Sequence, residues 1–192
     1  CVLRPHELQL GFLKFLPGSP IKNLINDYGY KYQSTPPYEL IAHKDLSASQ
    51  LNYLKKLEDV FDTFYNSKRF RFSLQHLLKK LSAVEIFNLL LEHMESNYLF
   101  NQSHSLNAQY KIIYDTFSLK NDSAALDILR MDYLYSQRVY HLPKFLEIDG
   151  ERQKTWAGDR KTPLIPFLNK ICITKGNAEV TPTLSLQYCA VV

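Results

Sequence analysis

Residues 7–20 read ELQLGFLKFLPGSP, and the way this stretch ends decides how the chain is read. Leu8, Leu10, Phe12 and Leu13 give an apolar strand in which the polar Gln9 alternates. Pro17-Gly18-Ser19-Pro20 stops it, because two prolines around a glycine cannot continue a ladder. A helix signal begins at Ile21. A strand, a tight glycine turn and a helix make half of a β/α unit, and half a unit needs neighbouring strands. The residues that follow read mostly as helices. The expectation is therefore that residues 1–20 are the end of a larger sheet and that the chain was cut from a longer protein.

Outward from that stretch, Ile21, Leu24 and Ile25 form an i, i+3, i+4 stripe that Gly29 ends. Residues 30–33 read as a short extended piece, 34–37 as a loop set by Pro36 and Pro37, and 38–42 as another short strand. Ser47-Ala48-Ser49-Gln50 has the form of a capping box. It opens a helix with Leu51, Leu54, Leu57, Phe61 and Phe64 on one side, stopped near Asn66-Ser67. A shorter helix is predicted over 73–81. Ser82-Ala83-Val84-Glu85 is a second capping box, with Glu85, Asn88, Glu92 and Glu95 on the wet face of its helix. Further helices are predicted over 106–118 and after Asn121-Asp122-Ser123. The connections are short, which favours antiparallel neighbours. Strands are predicted at 145–148, 171–174 and 184–192. The last, LSLQYCAVV, is apolar enough to need a partner: a sheet edge, a missing barrel, or a second copy of the chain in a homodimer.

Composition bounds the rest. The 192 residues carry a net charge of +4, with 13 Tyr and 11 Phe but one Trp. A mild positive balance with no basic stripe disfavours nucleic acid. The aromatics suit a tyrosine-rich helical core. No apolar run approaches the roughly 20 residues that cross a bilayer, and Arg4-Pro5-His6-Glu7 interrupts any signal-peptide core. Three scattered cysteines, Cys1, Cys172 and Cys189, make no disulfide framework. The cytoplasm is the expected compartment.

The segment Gln9-Leu10-Gly11-Phe12-Leu13-Lys14-Phe15-Leu16-Pro17-Gly18-Ser19-Pro20 resembles the last barrel strand and turn of B12-binding radical SAM proteins. Pro36-Pro37-Tyr38-Glu39-Leu40, Leu46-Ser47, Phe64-Tyr65-Asn66-Ser67 and Arg69-Phe70 follow in the order found after the barrel in part of that family. This is a group of Fe–S oxidoreductases similar to anaerobic magnesium-protoporphyrin monomethyl ester cyclases, and the region after their barrel is known mainly as a domain of unknown function. The likeness spans about residues 5–145 and is strongest over 8–72. It implies a mainly α fold, a helical bundle with a few short β-strands behind the remnant of a radical SAM β/α barrel. It divides the chain into 1–33 (barrel end), 34–145 (helical domain) and 146–192 (tail). It also implies that SAM, a four-iron–four-sulfur cluster and cobalamin serve the full-length parent, held by radical SAM and B12-binding domains that precede this chain.

The chain itself lacks that chemistry. Such a cluster takes closely spaced cysteines on one loop, in this family a C-x3-C-x2-C run, and the three cysteines here are too far apart. An Asp-x-His-x-x-Gly signature for cobalamin is missing too. Six histidines form no zinc pattern, and neither a nucleophile elbow nor a phosphate loop occurs. Adjacent carboxylates such as Glu58-Asp59 point to different parts of a helix surface. The candidate substrate-pocket residues are Gln9, Lys14, Gly18, Ser19, Tyr38 and Arg69, with Asn66 beside them. Gly18 would let the backbone approach a ligand and Lys14 would meet an anionic group, although a turn closing the last β/α step explains the same residues. Two functions follow as expectations. One is a catalytically silent accessory domain that covers the substrate of a B12-dependent radical SAM enzyme. The other is a free-standing helical module that binds a protein or nucleic acid.

Overall fold

A computed structural model describes residues 5–136 and 142–147. The chain is mainly helical, as expected, with six α-helices and a two-stranded antiparallel sheet among the described residues. It divides into two compact units, Cys1–Asn66 and Ser67–Val192. The strands predicted at 171–174 and 184–192 lie outside the described residues.

In the first unit, a 3-10 turn, Pro20–Leu24, runs into the short helix α1, Ile25–Tyr28. Gly29 ends α1 with φ 61°, the left-handed conformation that glycine adopts without a Cβ clash. Strand β1, Lys31–Tyr32, pairs antiparallel with β2, Leu40–Ala42. The boundary drawn from sequence at 33/34 falls between these paired strands. β2 starts later than predicted because Tyr38 sits at φ 57° in a turn, its N–H donating to the Thr35 carbonyl at 2.9 Å. Helix α2, Ala48–Val60, opens with both hydrogen bonds of the Ser47/Gln50 capping box and passes into a π-helical stretch, Phe61–Asn66. Phe15, Leu40 and Leu51 form the buried centre. Phe15 stacks on Tyr32 at 4.4 Å and meets Tyr30 edge-on at 5.1 Å.

The predicted strand at 8–13 is not one. The structure gives this segment no ladder. Its pairing is confined to the antiparallel bridge Lys14–Glu39, where the Phe15 N–H donates to the Tyr38 carbonyl at 2.7 Å and the Leu40 N–H donates to the Leu13 carbonyl at 2.9 Å. Further back, a side chain replaces the neighbouring strand. The Leu8 N–H donates to Asn66 Oδ1 at 2.9 Å, and Asn66 Nδ2 donates to the Leu8 carbonyl at 2.8 Å. A carboxamide carries the same donor and acceptor as a peptide unit, so it can take a strand's place for one residue.

In the second unit, α3 is Arg71–Leu77, α4 is Ala83–Ser96, α5 is Leu106–Thr116 and α6 is Ser123–Ser136. The second capping box forms as read, with Ser82 and Glu85 satisfying each other's amides. Asp122 caps α6 by accepting the Ala125 N–H at 3.0 Å. α3 and α5 pack on α6, and α4 packs on α5. α6 is buried almost all round from 127 to 134, including the charged Asp127, Arg130 and Asp132. The strand predicted at 145–148 is a 3-10 turn, Lys144–Leu146, as far as it is described. Arg130 determines this: Nε donates to the Leu146 carbonyl at 2.9 Å and Nη2 to the Glu147 carbonyl at 2.7 Å, using acceptors that a strand would offer to a ladder.

Candidate functional site: a cleft in the first unit

A cleft of about 530 Å³ opens in the first unit. That lies within the roughly 300–1,000 Å³ of small-ligand sites. Residues 9–13 make one wall. Leu51 and Leu54 of α2, with Leu40 and Leu46, make the apolar floor, and Tyr28, Tyr30, His43 and Asp45 make the polar rim. The turn after β2 places His43 and Asp45 side by side: the His43 and Leu46 backbones bridge, and the Asp45 N–H donates to His43 Nδ1 at 3.2 Å. With Nδ1 accepting, the neutral ring carries its proton on Nε2 and offers a donor there. Asp45 Oδ2 lies 3.6 Å from Nδ1. Tyr30 meets the His43 ring edge-on at 6.0 Å and stacks on Tyr28 at 5.4 Å. The Lys44 ammonium covers the Tyr28 ring at 4.7 Å.

Of the predicted site residues, Gln9 lines this cleft and the others do not. The exposed Gln9 side chain also donates to Glu7 Oε1 at 3.1 Å. Lys14 bridges Glu39 through its backbone. Gly18 turns the chain at φ 79° with open space where a Cβ would stand, and the Ser19 N–H donates to the Leu16 carbonyl at 3.1 Å. Tyr38 packs on the Phe15 cluster. Asn66 holds Leu8. Arg69 belongs to the second unit, where Nη1 donates to Gln109 Oε1 at 2.8 Å and its carbonyl accepts the Tyr110 hydroxyl at 3.0 Å. Sequence reasoning passed over Tyr28, His43 and Asp45. The signal available was a histidine two residues from an aspartate directly after a strand, which is a common enough pairing to go unread.

A second group of carboxylates gathers along α2 and the stretch that follows it. Glu58 and Asp59 on α2 are both held above the usual carboxylate range, first by desolvation and then by the charge of Asp62. Among the described residues no three His, Cys, Asp or Glu side chains come together as a metal site, and the three cysteines lie outside those residues. No helix of the described residues is long and apolar enough to cross a membrane.

No curated protein and no solved structure matches the chain. A family model does, over residues 26–162, which is more than half of the chain and covers the Tyr28-to-Leu54 side of the cleft but not the wall at 9–13. The chain accordingly belongs to the DUF4080 family of proteins of unknown function.

Proposed function

We propose that the chain is the accessory, substrate-covering domain of a B12-dependent radical SAM enzyme and performs no chemistry alone. The observation that supports this is the wall of the cleft. The segment that resembles the last barrel strand, residues 9–13, borders a cleft whose other sides come from the residues that follow it. In barrel enzymes the carboxyl ends of the strands surround the substrate, so a cleft continuous with such an end would lie at the barrel mouth. Its apolar floor would keep water and stray hydrogen donors from a radical site. In this reading the iron–sulfur cluster, cobalamin and SAM belong to the preceding domains of the parent polypeptide.

The test compares the parent polypeptide, intact and with residues 34–145 deleted. The expected result is unchanged cluster content and a severalfold rise in SAM cleavage uncoupled from substrate turnover. Equal uncoupled cleavage in both forms would overturn the proposal. So would micromolar binding of SAM or cobalamin by this 192-residue chain in titration calorimetry.

A further inference from the structure

His76, in the last turn of α3, is 7 % exposed. Neither of its ring nitrogens has a hydrogen-bond partner among the described residues. Unpaired buried nitrogens are costly, so for packing alone a leucine would serve better at this position. Nε2 stops 3.9 Å from Asp122 Oδ2, about 1 Å beyond a charge-assisted hydrogen bond. The same oxygen already accepts from the Lys80 ammonium at 2.7 Å. The other oxygen of Asp122, Oδ1, is engaged separately and caps α6 through the Ala125 N–H. Oδ2 therefore faces two side chains one helical turn apart: Lys80, always charged, and His76, charged only when it takes up a proton.

We infer that His76 and Lys80 are alternative partners of Asp122 Oδ2, and that protonation of His76 exchanges one for the other. The proton comes from solvent. The imidazolium then closes the gap and donates from Nε2 to Oδ2. Lys80, whose side chain is 59 % exposed, is released into water. Asp122 remains ionised throughout, because the bond from Lys80 and then the Ala125 amide hold it below the ordinary carboxylate range. The α6 cap is undisturbed, since it uses Oδ1. The charges that act on His76 are Asp122, which favours protonation, and Lys80 and Lys79, which oppose it. Burial opposes it more than either lysine, so the exchange falls on the acid side of the ordinary histidine range. The outcome is a proton-operated switch that frees a surface ammonium next to Lys79, in the turn between α3 and α4, without unfolding either helix. It lies wholly within the second unit and stands whether or not the chain works beside a barrel.

The test is an NMR titration of the isotope-labelled 192-residue chain between pH 8 and pH 4.5, following the His76 ring and the Lys80 side chain together. The expected result is one shared midpoint, with the Lys80 ammonium changing from a paired to a freely exchanging signal as the ring becomes charged. In His76→Gln the Lys80 signal should stay paired across the whole range. In Lys80→Gln, a change at an exposed position, the ring should charge at a higher pH, because its rival and a repelling charge have both gone. The proposal is overturned if Lys80 stays paired while His76 charges, since Oδ2 would then hold both. It is overturned equally if Lys80 is released in His76→Gln with the wild-type midpoint, or if Lys80→Gln leaves the His76 midpoint unmoved.

Discussion

Asn66 holds Leu8 by both of its backbone groups, across 58 residues of chain, with bonds of 2.9 and 2.8 Å. The side chain stands at the end of the π-helical stretch that continues α2, where Asn66 Nδ2 also donates to Asp62 Oδ1 at 2.6 Å. Tyr65, next to it, donates its hydroxyl to the Pro5 carbonyl. The helix end thus does for the N-terminal segment what a neighbouring strand would do.

Asn66→Ala should therefore release the segment. Two part-buried hydrogen bonds at roughly 0.5–1.5 kcal/mol each put the loss at about 1–3 kcal/mol in urea unfolding. Amide exchange at Leu8 should rise more than exchange at Phe15, whose bond to Tyr38 is independent of Asn66. Asn66→Asp should be no better, since it keeps an acceptor for the Leu8 N–H but faces the Leu8 carbonyl and Asp62 with negative charge. Equal exchange at Leu8 in wild type and Asn66→Ala would show that the clamp does not hold the segment.

Asp132 caps a helix other than its own. From α6, its Oδ2 accepts the Ser73 N–H at 2.7 Å and its Oδ1 accepts the Phe72 N–H at 3.1 Å, both in the first turn of α3. The residue is 2 % exposed. Burial pushes its carboxyl up to about 7, against the pull of these donors and of Arg71. A carboxyl raised on folding contributes most below its unfolded value near 3.8, and that contribution is lost as pH rises toward 7. Across that interval the loss is on the order of 4 kcal/mol. Asp132→Asn resembles the protonated acid, so the difference in unfolding free energy between wild type and variant should fall as pH rises from 4 to 7. A difference that is flat with pH would contradict the assignment.

His76 should behave in the opposite sense. It is buried on α3, and neither ring nitrogen has a hydrogen-bond partner among the described residues. Nε2 lies 3.9 Å from Asp122 Oδ2, an oxygen already bonded to the Lys80 ammonium at 2.7 Å. Burial first, then Lys80, holds the imidazole below its ordinary value, with Asp122 pulling the other way. A histidine depressed on folding contributes stability above its unfolded value near 6.5 and loses it as pH falls. His76→Leu removes two unsatisfied buried atoms. It should stabilise the fold by roughly 1–3 kcal/mol, with a larger gain at pH 5 than at pH 8. A destabilised variant at both pH values would mean that the ring packs in a way leucine cannot replace.

Local chemistry was legible in the sequence, and long-range substitution of one group for another was not. Both capping boxes and the Gly29 terminus formed as read, and the helix start read at Asn121-Asp122-Ser123 is capped by Asp122, because each is settled within four residues. The segment at 8–13 was read as a strand from its alternation, but alternation says nothing about which partner meets the backbone. Here the partner is the side chain of Asn66, which the sequence reading had placed at a helix end and beside the candidate pocket. On α6, nothing in the sequence reading foretold that Asp127, Arg130 and Asp132 would be buried. Asp132 and Arg130 meet groups far along the chain, the Ser73 amide and the Leu146 carbonyl, and Asp127 meets Arg130 three residues on. The cleft was half legible: Gln9 was picked out, but His43 and Asp45 acquire a role only when the turn after β2 brings them to the rim.

Arg130 supplies the most stringent test of the second unit. All three of its donor directions are used inside the protein: Nη1 to Asp127 Oδ1 at 2.6 Å, and Nε and Nη2 to the carbonyls of Leu146 and Glu147. The Arg130 and Asp127 side chains are 6 % and 7 % exposed. Arg130→Ala should cost about 3–5 kcal/mol, because it leaves Asp127 buried and charged and strips two carbonyls of their donors. Arg130→Lys should recover only part of this, since a single ammonium cannot reach in three planar directions. The double variant Asp127→Leu/Arg130→Met should be more stable than Arg130→Ala, because it removes the stranded charge along with its partner. A double-variant cycle in chemical denaturation measures this coupling. A coupling near zero would mean that Arg130 acts only through the 144–147 turn, and exchange at the Leu146 amide, which donates to Pro143 at 2.8 Å, would then change alone.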